Sequence, residues 1–109
     1  MKDLEDLDIE LIQQAIENGD TPVARREINE LHPADIAELF GELNLRQAEW
    51  LFNLIDGNEK KADVLMELDE EDRKRLLEGY DPEEIGHFID LLDTDDAVDL
   101  IQELDKEDR

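Results

Sequence analysis

The sequence predicts an all-α domain built as a train of short helices, and three observations carry that prediction. An apolar residue followed by a polar one recurs every twelve or thirteen positions, at Leu31-His32, Leu43-Asn44, Ile55-Asp56, Leu68-Asp69, Tyr80-Asp81, Leu92-Asp93 and Leu104-Asp105. Each interval is about the length of one short helix and its turn. All three prolines, in Thr21-Pro22, His32-Pro33 and Asp81-Pro82, stand where a helix would place its first residue, a position at which the missing amide proton removes no hydrogen bond. Leu, Ile, Val, Phe and Ala recur at helical spacing throughout, with no run of strand-like alternation. Such a train is the mark of an α-solenoid, which offers a long surface rather than a deep pocket.

Taken in order, the spacing predicts helices over 8–18, 22–31, 33–43, 45–55, 60–68, 70–79, 82–92 and 94–104. Gly19 stops the first. Thr21 and His32 cap the second and third, each with a proline at the first helical position. Asn44 opens the fourth, and Gln47 three residues on completes a capping box. The fifth follows the loosest turn, Asp56-Gly57-Asn58-Glu59-Lys60-Lys61. Asp69 with Asp72 opens the sixth, which Gly79 closes. Asp81 with Pro82 and Glu84 opens the seventh, and Asp93 with Asp96 the eighth. In that last helix Ala97, Leu100, Ile101 and Leu104 form an apolar stripe, with Asp95, Asp96, Asp99 and Glu103 on the other side. Phe40, Trp50, Phe52 and Met66 are assigned to packing. The basic trio Arg73-Lys74-Arg75 is assigned to an exposed helix, paired with neighbouring acids.

The length fits one domain, residues 1–109. Asp105-Lys106-Glu107-Asp108-Arg109 repeats the opening of a helix, so the pattern predicts a piece of a longer chain. Net charge is −23, from 34 acids against 11 bases, so the core works against self-repulsion and cations should stabilise it. The basic trio is flanked by Glu70, Glu71, Asp72 and Glu78, which argues against nucleic acid or an anionic membrane surface as partner. There is no cysteine, which excludes disulfides and thiolate metal sites. No segment approaches the roughly 18 apolar residues of a membrane span, and the acidic opening Met1-Lys2-Asp3-Leu4-Glu5-Asp6 is no signal peptide.

Catalysis finds no support. There is no nucleophile elbow, phosphate-binding glycine loop or zinc-type His-Glu-x-x-His. His32 reads as a helix cap and His87 as a surface or half-buried ring. The acids from 90 to 105 stand out: Asp90, Asp93, Asp95, Asp96, Asp99, Glu103 and Asp105 occur without an intervening Lys or Arg. The helix dipole explains the first-turn acids. Asp99 lies beyond that turn, on one face with Asp95 and Asp96, where like charges repel. A divalent cation would reverse that interaction, and Mg²⁺ typically takes one or two carboxylates and keeps several waters. The run is no EF-hand, since counting from Asp93 puts Val98 at the glycine position and Leu104 at the closing Glu. From spacing alone, a metal-binding face and a merely solvated acidic face both stay open.

The segment Leu31-His32-Pro33-Ala34-Asp35-Ile36-Ala37-Glu38-Leu39-Phe40, with Ala62-Asp63-Val64-Leu65-Met66-Glu67-Leu68 and Leu92-Asp93-Thr94-Asp95-Asp96-Ala97-Val98-Asp99-Leu100, resembles the N-terminal cytoplasmic domain of MgtE-type magnesium channels and transporters. The resemblance implies a right-handed, armadillo/HEAT-like superhelix, followed by paired CBS domains, a connecting helix and a membrane pore. It implies Mg²⁺ ions lodged between this domain, the CBS domains and the connecting helix, holding the pore shut until cytosolic Mg²⁺ falls. Carried over by motif, the metal residues are Asp63, Asp95, Asp96 and Asp99, with Asp95 and Asp99 foremost. Lys60 and Lys61 lie next to Asp63 in the sequence and would weaken a site there. The implied setting is the cytoplasmic side of the membrane, with a homodimeric whole and with the present part monomeric or weakly associated. The expected ligand is Mg²⁺, weakly bound by this part alone, with other divalent cations sharing the same oxygen chemistry. A weaker likeness to the helical repeats of flagellar motor switch proteins implies the alternative, a protein-binding scaffold with no metal role.

Overall fold

A computed structural model describes residues 6–107, with side chains over 9–104. Among the described residues the secondary structure is eight α-helices: α1 (Asp6–Asn18), α2 (Thr21–Glu30), α3 (Pro33–Phe40), α4 (Leu45–Asn53), α5 (Asn58–Glu67), α6 (Glu70–Leu77), α7 (Pro82–Leu91) and α8 (Thr94–Glu107). The fold is therefore all-α, as the sequence predicts. The acidic opening, residues 1–5, and Asp108-Arg109 lie outside the described residues.

The punctuation follows the side chains. His32 caps α3 through Nδ1, which accepts from the Ala34 amide. Asn44 accepts from the Gln47 amide while the Gln47 side chain accepts from the Asn44 amide, closing the capping box of α4. Asp69, Asp81 and Asp93 each accept from the amide three residues on. The cap of α2 differs from expectation: it is Asp20, whose Oδ1 accepts from the Val23 amide, so that Thr21 and Pro22 occupy the first two helical positions. A carboxylate is the stronger acceptor for an orphan amide, and the N2 position accommodates proline equally well.

Several helices end earlier than their apolar pattern. Leu43 and Ile55 lie in turns, where residue-to-residue+3 hydrogen bonds tighten the chain, as in Leu43 N to Phe40 O and Ile55 N to Phe52 O. Ile55 is buried and Leu43 half-buried even so; the apolar stripe records burial, which outlasts the helix. Gly19 (φ +65°) reverses the chain after α1, and Gly57 (φ +86°) precedes α5, which starts at Asn58, earlier than expected. These left-handed angles favour glycine. Gly79 has no such angle, and α6 ends before it, at Leu77. Helix α8 runs through Asp105 to Glu107, so the expected new helix start at Leu104-Asp105 is absent.

Beyond the neighbouring pairs α1–α2 and α7–α8, helices pack on the helix two places along: α2 on α4, α4 on α6, α3 on α5, and α5 on α7. The molecule is elongated, 40 × 25 × 21 Å. Its core runs between these layers through Ile28, Leu31, Ile36, Leu39, Leu51 and Leu65, all essentially inaccessible. Phe52, Tyr80 and Phe88 form an edge-to-face triad with ring centroids 5.4–6.1 Å apart, which favours the ring quadrupoles. The Tyr80 hydroxyl donates to Asn53 Oδ1 at 2.8 Å. Burial, then the charges of Glu84 and Glu49, push its pKa up. Asn29 ties α2 to the turn after α4: its Nδ2 donates to Leu54 O at 3.0 Å and to Arg25 O at 2.8 Å, while Oδ1 accepts from the Asp56 amide at 2.8 Å.

Candidate functional site

The acidic stretch from 90 onward folds into the end of α7 and the start of α8. Asp93 caps α8; Asp95 and Asp96 fill its first turn, where the dipole favours anions. One turn later comes Asp99. Burial of Leu100, with Ala97 and Leu104 half-buried, turns the Asp96–Asp99–Glu103 side toward α6. An open groove of about 520 Å³ results, lined by the end of α5, the first turn of α6 and this side of α8. Asp69, Glu70, Asp96, Asp99 and Glu103 supply its carboxylates, and Arg73 is the cation among its lining residues.

The structure thus brings two of the four sequence-predicted metal residues, Asp96 and Asp99, to one groove. Asp95 is exposed on α8 and is not among the lining residues. Asp63 is exposed on α5 and also apart from the groove. The lysines beside it in sequence are engaged elsewhere. The Lys60 ammonium donates to Asn29 O at 2.9 Å, and burial lowers its pKa against the raising influence of Asp56. The Lys61 ammonium lies 5.9 Å over the Phe52 ring. Among the described residues no three acidic or imidazole groups converge into a metal cage.

Crowding nevertheless acts on Asp96. Desolvation, then the charge of Asp93 and a side-chain hydrogen bond with it, then Asp99 and Asp95, raise the Asp96 carboxyl above its ordinary range. Each cause disfavours an additional negative charge there. Outward-facing carboxylates without a cage suit a hydrated Mg²⁺, which keeps several waters, better than a fully stripped ion.

The residue that sequence reasoning misplaced is Arg73. The trio was expected on an exposed surface. Arg75 conforms, pairing with Glu71 at 3.1 Å one turn back, but Arg73 is only 6% exposed. Its Nη1 donates to Leu65 O at 2.9 Å and Leu68 O at 2.7 Å, while Nε and Nη2 grip both oxygens of Glu103 on α8, the former at 2.9 Å. A signal for this was present: Arg73, Leu76 and Leu77 stand at i, i+3, i+4, so the arginine begins the buried stripe of α6. Asp69, read as a cap, and Glu70, read as an acid flanking the basic trio, join the groove with the facing side of α8. His32 acts as a cap and His87 is exposed.

Fold and groove together define a class: a strongly acidic, all-helical domain that presents carboxylates along an open face. Within that class the family is specific. The sequence profile of the MgtE intracellular N domain matches residues 31–109, and the chain belongs to that family. It is also 31% identical over 97 residues to the magnesium transporter MgtE of Thermus thermophilus, across 89% of this chain and 21% of that protein. The chain therefore spans about one fifth of the length of that relative. No solved structure matches it. Among the described residues no helix is long and apolar enough to cross a membrane.

Proposed function

We propose that this domain is the Mg²⁺-responsive regulatory part of a magnesium transporter, acting on the cytoplasmic side of the membrane. Family membership supports the transporter context, and the placement of Asp96 and Asp99 opposite Asp69 and Glu70 across one groove is the observation that carries the sensing role. Asp96 and Asp99, which line the groove, are the foremost ligands, with Asp95 exposed beside them on α8 and Asp63 as a separate point of contact. The alternating helix packing, continued by further helices, would give the right-handed superhelix that the family resemblance implies.

The mechanism is charge neutralisation. Two acidic surfaces closer than about one Debye length, roughly 8 Å at physiological salt, repel each other. A divalent ion shared between this face and the CBS domains or connecting helix of the same homodimeric transporter turns separation into contact. The equilibrium between closed and open states moves only by the difference in Mg²⁺ affinity between them. Because α8 supplies part of a coordination sphere, the chain alone binds Mg²⁺ weakly.

Amide NMR during titration with MgCl₂, against NaCl at matched ionic strength, tests this. Residue-specific shifts at Asp96 and Asp99, with Asp95 following, are expected before those of other acids. Shifts spread evenly over all 34 carboxylates would reduce the effect to an ion atmosphere and sink the sensing role. A protein-binding scaffold without a metal role is the rival reading, favoured by Val98 and Ile101, which stand 45% and 44% exposed on α8. It predicts identical spectra in the two salts.

A further inference from the structure

We infer that Arg73 is a positioning residue for the α8 acidic face: its guanidinium clamps α8 against α5 and α6, and so fixes how Asp96 and Asp99 face Asp69 and Glu70. This rests on the sensing role proposed above for that face. Three elements meet at one side chain. Leu65 O and Leu68 O belong to the C-terminal end of α5, where Leu65 O takes only a long bond from the Leu68 amide at 3.3 Å and terminal carbonyls are short of helical partners. A cation is favoured there by the helix dipole as well. The remaining fork of Arg73 takes Glu103 of α8 in a bidentate pair, a geometry that fixes orientation as well as distance.

Little else fixes the rotation of α8. Leu100 is its one fully buried side chain among the described residues, and α7 is its main packing neighbour. Ala97 and Leu104 are only half-buried, so this narrow apolar seam leaves α8 able to roll, and a planar fork on Glu103 opposes that roll. Asp96 and Asp99 precede Glu103 by seven and four residues, about two turns and one turn, so all three share a side of the helix. Locking Glu103 therefore locks the other two. The clamp also engages the groove's cation with Glu103, so Arg73 does not neutralise Asp96 or Asp99 by direct pairing.

Lysine cannot reproduce this arrangement. Its ammonium is a point charge with three donors and cannot hold two carbonyls and both carboxylate oxygens in one plane. Arg73→Lys nevertheless leaves net charge unchanged, so any altered Mg²⁺ response reports geometry and not electrostatic atmosphere. Two measurements on the 109-residue chain decide the matter. In Mg²⁺-free buffer, exchange of the α8 amides should accelerate by about tenfold in Arg73→Lys, while amides of α3 and α5 stay within about twofold of the parent. In the MgCl₂ titration, the midpoint at Asp96 and Asp99 should rise by about threefold or more, the loss expected when preorganisation is removed.

Unchanged α8 exchange would overturn the clamp. Loosened α8 with an unchanged midpoint would overturn positioning and leave Arg73 a stabilising residue only. Should Arg73→Lys fail to fold, Glu103→Gln tests the same fork, with the exposed Glu78→Gln as its charge-matched control; equal midpoints in these two would also overturn positioning. Absence of any residue-specific Mg²⁺ shift in the parent chain would instead overturn the sensing role, a failure separable from the clamp because the exchange data are collected without Mg²⁺.

Discussion

The middle of this molecule and its last helix are held by different forces. Helices α3, α5 and α7 pack around fully buried Ile36, Leu39, Val64 and Leu65, and the Phe52–Tyr80–Phe88 triad joins α4, the turn after α6 and α7. Apolar burial dominates there and depends little on ions or pH. Helix α8 buries Leu100 and otherwise relies on half-buried Ala97 and Leu104 and on the Arg73–Glu103 pair. A helix docked by one fully buried leucine, a half-buried fringe and one ion pair, with crowded carboxylates on its flank, is the part whose placement charge can change. The proposed sensing role would use this separation, a body held by apolar burial beside a face that charge can shift.

Four substitutions break or sharpen that comparison, from the largest effect to the smallest. Phe52→Ala removes the ring shared by two edge-to-face contacts and should cost about 3–5 kcal/mol of global stability, read by urea unfolding with circular dichroism. Leu100→Ala should cost about 2–4 kcal/mol, but locally: α8 amides should exchange faster while those of α3 and α5 keep their protection. A global loss of the same size would show that α8 is not a separable unit. Asn29→Ala leaves Leu54 O and the Asp56 amide without this partner and should cost about 1–2 kcal/mol, again by urea titration.

The smallest effect has the opposite sign. Asp96→Asn removes a carboxylate whose folded-state pKa is raised by desolvation and by Asp93, Asp99 and Asp95. A raised carboxyl pKa means that folding disfavours the ionised form, so the penalty is complete above the folded-state value and fades as pH falls through it. At pH 7 and low salt the variant should therefore melt slightly higher than the parent, with the gap closing as pH falls toward the ordinary aspartate range. A gap that widens on acidification would contradict the assigned cause.

Much of this architecture was legible before folding because capping is local. His32, Asn44, Asp69, Asp81 and Asp93 satisfy orphan amides two or three residues away, so their roles are written in short stretches of chain. The acidic character of the α8 flank was equally readable, since Asp95, Asp96 and Asp99 share a helical face by spacing alone. Boundaries were less so: Leu43 and Ile55 lie beyond their helix ends yet are drawn toward the core, and periodicity reports burial rather than hydrogen bonding.

The sequence by itself determined eight short helices, their polar starts and an anionic last helix, because the interactions responsible span at most one helical turn. Only the tertiary structure decided that Asp69 and Glu70 line one groove with Asp96 and Asp99, that Asp63 stands apart, and that Arg73 lies buried in the grip of Glu103 thirty residues away. Those outcomes depend on how α8 folds back across α5 and α6. An arginine amid acids has many partners within reach along the chain, and long-range packing selects the one it keeps.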